Sequence, residues 1–177
     1  MTESTAPPAS TLPPSEEVTP DGFRSMMSAF PTGVSVVTGL DGAGVPRGMT
    51  CSSVCSVSLD PPTLLVCLRA GSPTLAAVRE HGRFAVNLLH QDARATAELF
   101  ASGDPRRFDL TPWVQDPCAA GPHLVRDAHT VADCTVALTQ QVGDHVTVFG
   151  TTRRIVRHGA EAPLLYGMRE FRRWTSV

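Results

Sequence analysis

From residue 21 onward the hydrophobic positions switch repeatedly between a helical and an alternating period, and the order of the switches outlines a fold. In Asp21–Phe30, "DGFRSMMSAF", the apolar residues Phe23, Met26, Met27 and Phe30 fall at helical spacing, with Asp21 as cap and Pro31 as the stop. A hairpin pattern follows. Val34 and Val36 alternate with smaller residues, the Gly-rich "DGAGVPRG" makes the connection, and Gly48 opens the returning strand. Thr63–Ala70, "TLLVCLRA", is a continuous apolar run of strand length, the pattern of a strand buried on both faces. Next comes a well-marked short helix with Ser72 as N-cap, Pro73 at the first helical position and Gly82 as the stop.

Arg83–Leu89 reads as another strand, and Gln91–Ser102 as a second helix with Ala95, Leu99 and Phe100 on its apolar side. Residues 103–129 are punctuated by Pro and Gly and predict loop with a short irregular strand. Two long alternating strands then flank Val142-Gly143-Asp144-His145, and Ala162–Trp174 is a last strand-like piece. Antiparallel hairpins with inserted helices predict a mainly β (α+β) fold, a small β-barrel with helical decorations, rather than a parallel α/β sheet. Residues 1–20 are rich in Pro, Ser, Thr and Ala and predict a mobile tail, which leaves 21–177 as a single domain.

Composition narrows the function classes. A net charge of −2 leaves no basic footprint for nucleic acid or for an anionic membrane. No basic-then-apolar leader is present, and no apolar run approaches the roughly 20 residues that cross a bilayer, so a soluble, cytoplasmic protein is expected. The 5 cysteines form neither C-x-x-C nor a zinc-ligand pattern, which predicts reduced thiols and no metal site. Cys51 and Cys55, four residues apart on one strand, would lie roughly 13 Å from each other, too far for a disulfide. Of the 6 histidines, all but His145 read as surface or loop residues; His145 follows Gly143-Asp144 at a hairpin, where a side chain can project over a groove. Neither G-x-S-x-G, G-x-G-x-x-G after a strand, nor a phosphate-binding G-x-x-x-x-G-K-[ST] occurs. That excludes one way of holding a dinucleotide, not dinucleotide use itself.

The strongest chemical signal is Gly48–Pro62, "GMTCSSVCSVSLDPP". Hydroxyls on both faces of a strand are costly in a core, at about 1–3 kcal/mol for each one left unpaired, so something must receive their hydrogen bonds. Either neighbouring strands or an exposed edge satisfy them, or they line a groove for a polar ligand such as a ribityl chain or phosphate. Arg106-Arg107, before Phe108, adds guanidinium groups suited to a phosphate or to a solvated loop.

Together with "FPTGVSVVT" (30–38), "SPT" (72–74), "RFAVNLL" (83–89), "RRF" (106–108), "GDH" (143–145) and "PLLYGMREF" (163–171), this stretch resembles the flavin reductase family. The pieces occur in the family's order and cover most of the chain beyond residue 22. The resemblance implies an FMN-binding split-barrel fold and NAD(P)H-dependent reduction of FAD or FMN, with reduced flavin passed to a partner monooxygenase. It also implies a homodimer with the flavin near the subunit interface.

Carried over by position, Met49, Thr50, Cys51, Ser52 and Ser53 would contact the flavin. Ser72 and Thr74, at a helix N-terminus, and Arg107 would hold phosphate, and Phe108 beside Arg107 would also contact the cofactor. Thr32, Gly33, His145, Tyr166 and Phe171 would form the nicotinamide side, with His145 as the residue that positions the nicotinamide for hydride transfer. The expected cofactors are FAD ahead of FMN, and NADH, because no dedicated basic cluster for a 2′-phosphate is evident in the sequence. The other readings are a related pyridoxamine-phosphate-type oxidase and a flavin-binding protein without turnover.

Overall fold

The computed structural model describes residues 15, 17–159 and 161–175. The tail expected at 1–20 lies mostly outside them, but Thr19 and Pro20 already start the first helix, α1 (Pro20–Ser28). Thr19, not Asp21, is its cap: the Gly22 N–H donates to Thr19 Oγ1 at 3.1 Å, and Pro20 occupies the first turn, where its missing N–H is harmless.

The remaining elements are β1 (Thr32–Gly33), β2 (Ser35–Leu40), β3 (Pro46–Cys51), β4 (Val54–Leu59), β5 (Pro62–Arg69), α2 (Pro73–His81), β6 (Arg83–Leu89), α3 (Arg94–Ser102), α4 (Arg107–Leu110), β7 (Ala128–Val142), β8 (His145–Arg157), β9 (Leu164–Gly167) and β10 (Glu170–Arg173). They form a 7-stranded antiparallel sheet in the order β3-β2-β6-β7-β8-β5-β4 and a 3-stranded sheet in the order β1-β9-β10. This is the expected mainly antiparallel split barrel with few short helices. Among the described residues no helix is long and apolar enough to cross a membrane.

The hydroxyl-rich stretch, expected as one strand, is two. β3 ends at Cys51 and β4 begins at Val54, and these strands are the opposite edges of the 7-stranded sheet. Ser52-Ser53 therefore bridges the edges and forms the seam of the barrel. Side chains take over where the ladder stops: Ser53 Oγ accepts the Cys67 N–H at 3.2 Å and donates to Cys67 O at 3.3 Å, holding the seam to β5.

The barrel interior is filled by alternate residues of the sheet, among them Val37, Val66, Leu68, Phe84, Val86 and Val148, with Leu75 and Val78 of α2 closing one end. The strand buried on both faces is β2, not β5. Val37 points into the barrel, while Val36 joins Val34, Leu89, Ala97, Phe100 and Leu164 in a second cluster under α3. β5 buries Val66 and Leu68 but leaves its other face half-open, because it lies beside the edge strand β4. On α3 the buried face is Thr96, Ala97 and Phe100; Ala95 is exposed and Leu99 only half-buried.

His123 corrects another expectation. It is buried rather than superficial, and its Nε2 lies 2.9 Å from Asp133 Oδ1 on β7. Arg154 Nε donates to the other oxygen of Asp133 at 2.7 Å, and the Ala120 N–H donates to Oδ1 at 2.7 Å. With Asn87, whose Oδ1 accepts the Leu124 N–H at 2.8 Å, this network pins the segment between α4 and β7 to the outer face of the sheet.

Candidate functional site

At the seam the two edges leave a groove, and the 3-stranded sheet forms its far wall. β9 and β10 make a tight hairpin in which Tyr166 and Phe171 are direct cross-strand partners, their ring centroids 5.0 Å apart. Its turn residues Met168 and Arg169 have φ of 52° and 62°, a left-handed conformation that costs non-glycine residues about 1–2 kcal/mol each. The turn is anchored to α1 by the Met168 N–H donating to Ser28 O at 2.6 Å.

Two cavities open at this groove and share Ser52 and Tyr166. One, of about 850 Å³, runs between α1 and the seam and includes Thr32, Ser53 and Leu65. The other, of about 450 Å³, lies over α3 and includes Thr50, Glu98, Ser102 and Phe171. Thr32, Thr50, Ser52, Ser53, Tyr166 and Phe171 are thus brought together as one continuous surface. Gly33 lies beside it in a smaller cavity of about 290 Å³ with Val34 and Ser35.

The hydroxyls divide by role. Thr50 Oγ1 donates to Ala97 O at 2.6 Å, tying β3 to α3, and Ser53 is engaged by Cys67. Ser52 is exposed at the junction of the cavities. Met49 packs against the barrel core and Cys51 is buried in it, its Sγ 3.2 Å from Ser53 Oγ, and neither lines the two cavities. Burial raises the Cys51 thiol pKa and pushes that of Cys134 to about 11, leaving both protonated at neutral pH. Cys55, in contrast, is exposed.

Ser72, Thr74 and His145 line neither cavity and lie beyond the seam, at the end of β5. Ser53 bonds to Cys67, two residues before Arg69, and Arg69 is the cross-strand partner of His145. The Ala70 N–H donates to Asp144 O at 2.8 Å, which places the start of α2 against the β7–β8 turn. Ser72 accepts the Leu75 N–H at 3.2 Å as the expected cap, and Thr74 is buried. His145 is exposed with Nδ1 2.9 Å from Asp144 Oδ1, a hydrogen bond that lowers the Asp144 pKa.

Phe108 is an anchor rather than a ligand contact: it packs edge-on against Phe100 at 5.0 Å and Trp113 at 5.9 Å. This aromatic cluster abuts β3 so closely that a Cβ on Gly48 would lie 3.0 Å from Phe108 Cζ, which accounts for the glycine in the "GMT" element. Arg107 beside it is half-buried. One of its terminal nitrogens donates to Asp104 O at 3.0 Å, but its Nε is buried without a partner among the described residues. Burial, and then the charge of nearby Arg47, lower its pKa. A guanidinium desolvated beside a second guanidinium is suited to an anionic group.

The groove fits a flavin ring and ribityl chain, with an aromatic wall and an exposed hydroxyl at its centre; Arg107 lines neither cavity and lies toward Arg47, near the start of β3. The sequence predicts α1 as a helix but does not place it at the site, where Phe23 and Met27 line the larger cavity instead of a core. Sequence reasoning missed the exposed side of α3, although Arg94, Glu98 and Ser102 recur there at intervals of four.

Comparison with known proteins points the same way. The flavin reductase of Lentzea aerocolonigenes, named for NADPH, is 51% identical over 162 residues, covering 92% of this chain and 94% of its own. That of Kitasatospora aureofaciens, named for NADH, is 40% identical over 158 residues, with 87% and 81% covered. Among solved structures, the Streptomyces globisporus C-1027 NADH:FAD oxidoreductase SgcE6, in complex with NAD and FAD fragments, matches with a TM-score of 0.82 and 30% identity. That match covers 91% of this chain and 98% of that one. The model of the flavin reductase like domain matches residues 27–175, which takes in the seam, the helices beside it and the aromatic hairpin alike, so the chain belongs to the flavin reductase like domain family.

Proposed function

We infer that this chain, through its domain at 21–177, is an NAD(P)H:flavin oxidoreductase that reduces FAD or FMN in the cytoplasm and releases the reduced flavin to a partner monooxygenase. The observation that carries the reading is the seam groove, in which Thr50, Ser52 and Ser53 face the Tyr166–Phe171 pair. The names of the relatives favour this over a pyridoxamine-phosphate-type oxidase or a flavin carrier without turnover.

When bound, the flavin supplies the two-electron acceptor. The chain holds and orients it. Ser52 and the backbone of the seam present hydrogen-bonding groups to the ring edge and ribityl chain, and Arg107, with the start of α2, receives phosphate. Tyr166 and Phe171 shield the ring from water on one side and align a nicotinamide against it, with His145 beyond the seam. No acid/base pair is needed, because rate enhancement comes from juxtaposing two rings.

The apolar side of α1, with Phe23, Met26 and Phe30 exposed, is the surface on which a second copy packs in the homodimer. Sedimentation at micromolar concentration checks this, and a monomer would contradict it. The reductase reading itself is tested by initial rates of NADH and NADPH oxidation with FAD, FMN and riboflavin. In the same assay Arg107→Ala raises the KM for flavin about tenfold with kcat retained, whereas His145→Ala lowers kcat; an Arg107→Ala variant with unchanged flavin affinity removes that residue from the site.

A further inference from the structure

Behind Phe171 the groove continues. A cavity of about 770 Å³ abuts the aromatic pair on the side away from Ser52, and its walls carry Asp92, Arg94, Arg172 and Arg173. The guanidinium of Arg94, from α3, lies over the Phe171 ring at 5.6 Å from its centroid. Arg173 shares its face of β10 with Phe171, two residues before it, and pairs with Asp92 at 2.5 Å. Arg172 points to the other face, where it pairs with Glu170. Guanidinium groups from separate elements, Arg94 and Arg173, thus line one cavity beside Phe171.

Their present partners are weak holds. Arg94 reaches Glu98 at 2.8 Å, but both side chains are more than half exposed, as are Arg173 and Asp92. Exposed pairs of this kind contribute little and exchange readily for a better acceptor. A phosphate dianion is such an acceptor, because it takes forked contacts from more than one guanidinium at once. Each arginine on the cavity wall has one exposed carboxylate partner, Glu98, Glu170 or Asp92, so an incoming dianion has to displace these weak single pairs by taking more than one guanidinium at once.

Resting on the reductase reading, we propose that Arg94 and Arg173 bind the 2′-phosphate of NADPH and make this chain prefer NADPH to NADH. The two nucleotides differ only in that phosphate. A nicotinamide stacked near Tyr166 and Phe171 leaves the rest of its dinucleotide to run past the Phe171 edge, into the arginine-walled cavity. The sequence alone leaned to NADH because it shows no basic cluster. No basic cluster is visible there because Arg94 and Arg173 stand far apart in the chain and meet only when β10 folds against α3.

The test is the ratio of kcat/KM for NADPH to that for NADH in the full-length wild type and in Arg94→Ala, Arg173→Ala and the double variant. The wild-type ratio is expected above one. It falls at least tenfold in the double variant, and Arg173→Lys, which keeps the charge but not the fork, recovers part of it. A binding measurement runs beside it without turnover: calorimetric titration with adenosine 2′,5′-bisphosphate and with 5′-AMP. The double variant weakens the first at least tenfold and changes the second less than twofold. Equal loss of both probes, or of both nucleotides, assigns the arginines to the shared pyrophosphate or to folding and overturns the proposal, as does an unchanged ratio. A wild type inactive with both nucleotides and every flavin overturns the reductase reading, and the proposal with it.

Discussion

Asp133→Asn is expected to lower the stability of the protein by about 3 kcal/mol at neutral pH, the range found when one partner of a buried ionic network is removed. Asp133 is 2% exposed and accepts hydrogen bonds from His123, the Ala120 N–H and Arg154. Burial by itself raises its pKa; the bonds from His123, Ala120 and Arg154 outweigh burial and leave the carboxyl below its usual value. The native pKa therefore lies below the unfolded value of about 4. Stability from this group is fully present above that pH and is lost as pH falls through the native value. Urea unfolding at pH 7 and at pH 3 checks both parts: the gap between wild type and Asp133→Asn is wide at pH 7 and narrows at pH 3. An equal gap at both would mean that packing, not charge, holds Asp133 in place.

The second large effect belongs to Ser52. It is exposed at the junction of both cavities and faces Tyr166 across the groove, so an added ring there fills the place assigned to the flavin. Ser52→Phe is expected to lower kcat/KM for flavin on the order of a hundredfold, since misplacing reacting partners by about an ångström already has that effect. Stability should change by no more than about 0.5 kcal/mol, because the residue packs against no core. Thermal unfolding beside initial rates separates the two. Full activity in a normally folded Ser52→Phe protein would move the flavin site elsewhere.

Where structure is set by neighbours in the chain, the sequence could be read directly. The helix Pro73–His81 has both ends written locally: Ser72 caps it, and Gly82 stops it with φ of 63°. The β7–β8 hairpin is legible from alternation on both sides of Gly143, although two register shifts interrupt the pairing. The break at Ser52-Ser53 was not, because the partners that satisfy these hydroxyls are backbone atoms of distant elements, Ala97 O for Thr50 and Cys67 for Ser53. The same holds for His123, which reads as a surface or loop residue until the loop and β7 are brought together at Asp133.

Of the site, the resemblance located the hydroxyls and aromatics that the structure gathers at the seam. It did not separate those that hold the barrel shut from the one left open to a ligand. Met49, Cys51 and Phe108 illustrate the limit: each stands within a motif, yet each side chain packs inward, so the motif there encodes packing rather than a ligand contact.

The central claim, that the seam groove holds a flavin for reduction by a nicotinamide, is tested most directly by anaerobic rapid mixing. The protein with stoichiometric FAD is mixed with NADPH or NADH, and the visible absorbance of oxidised flavin is followed. The account predicts bleaching within the first turnovers, faster with NADPH than with NADH, and loss of that phase in Ser52→Phe. Flavin that stays oxidised with both nucleotides, at the rate of a protein-free control, would contradict it.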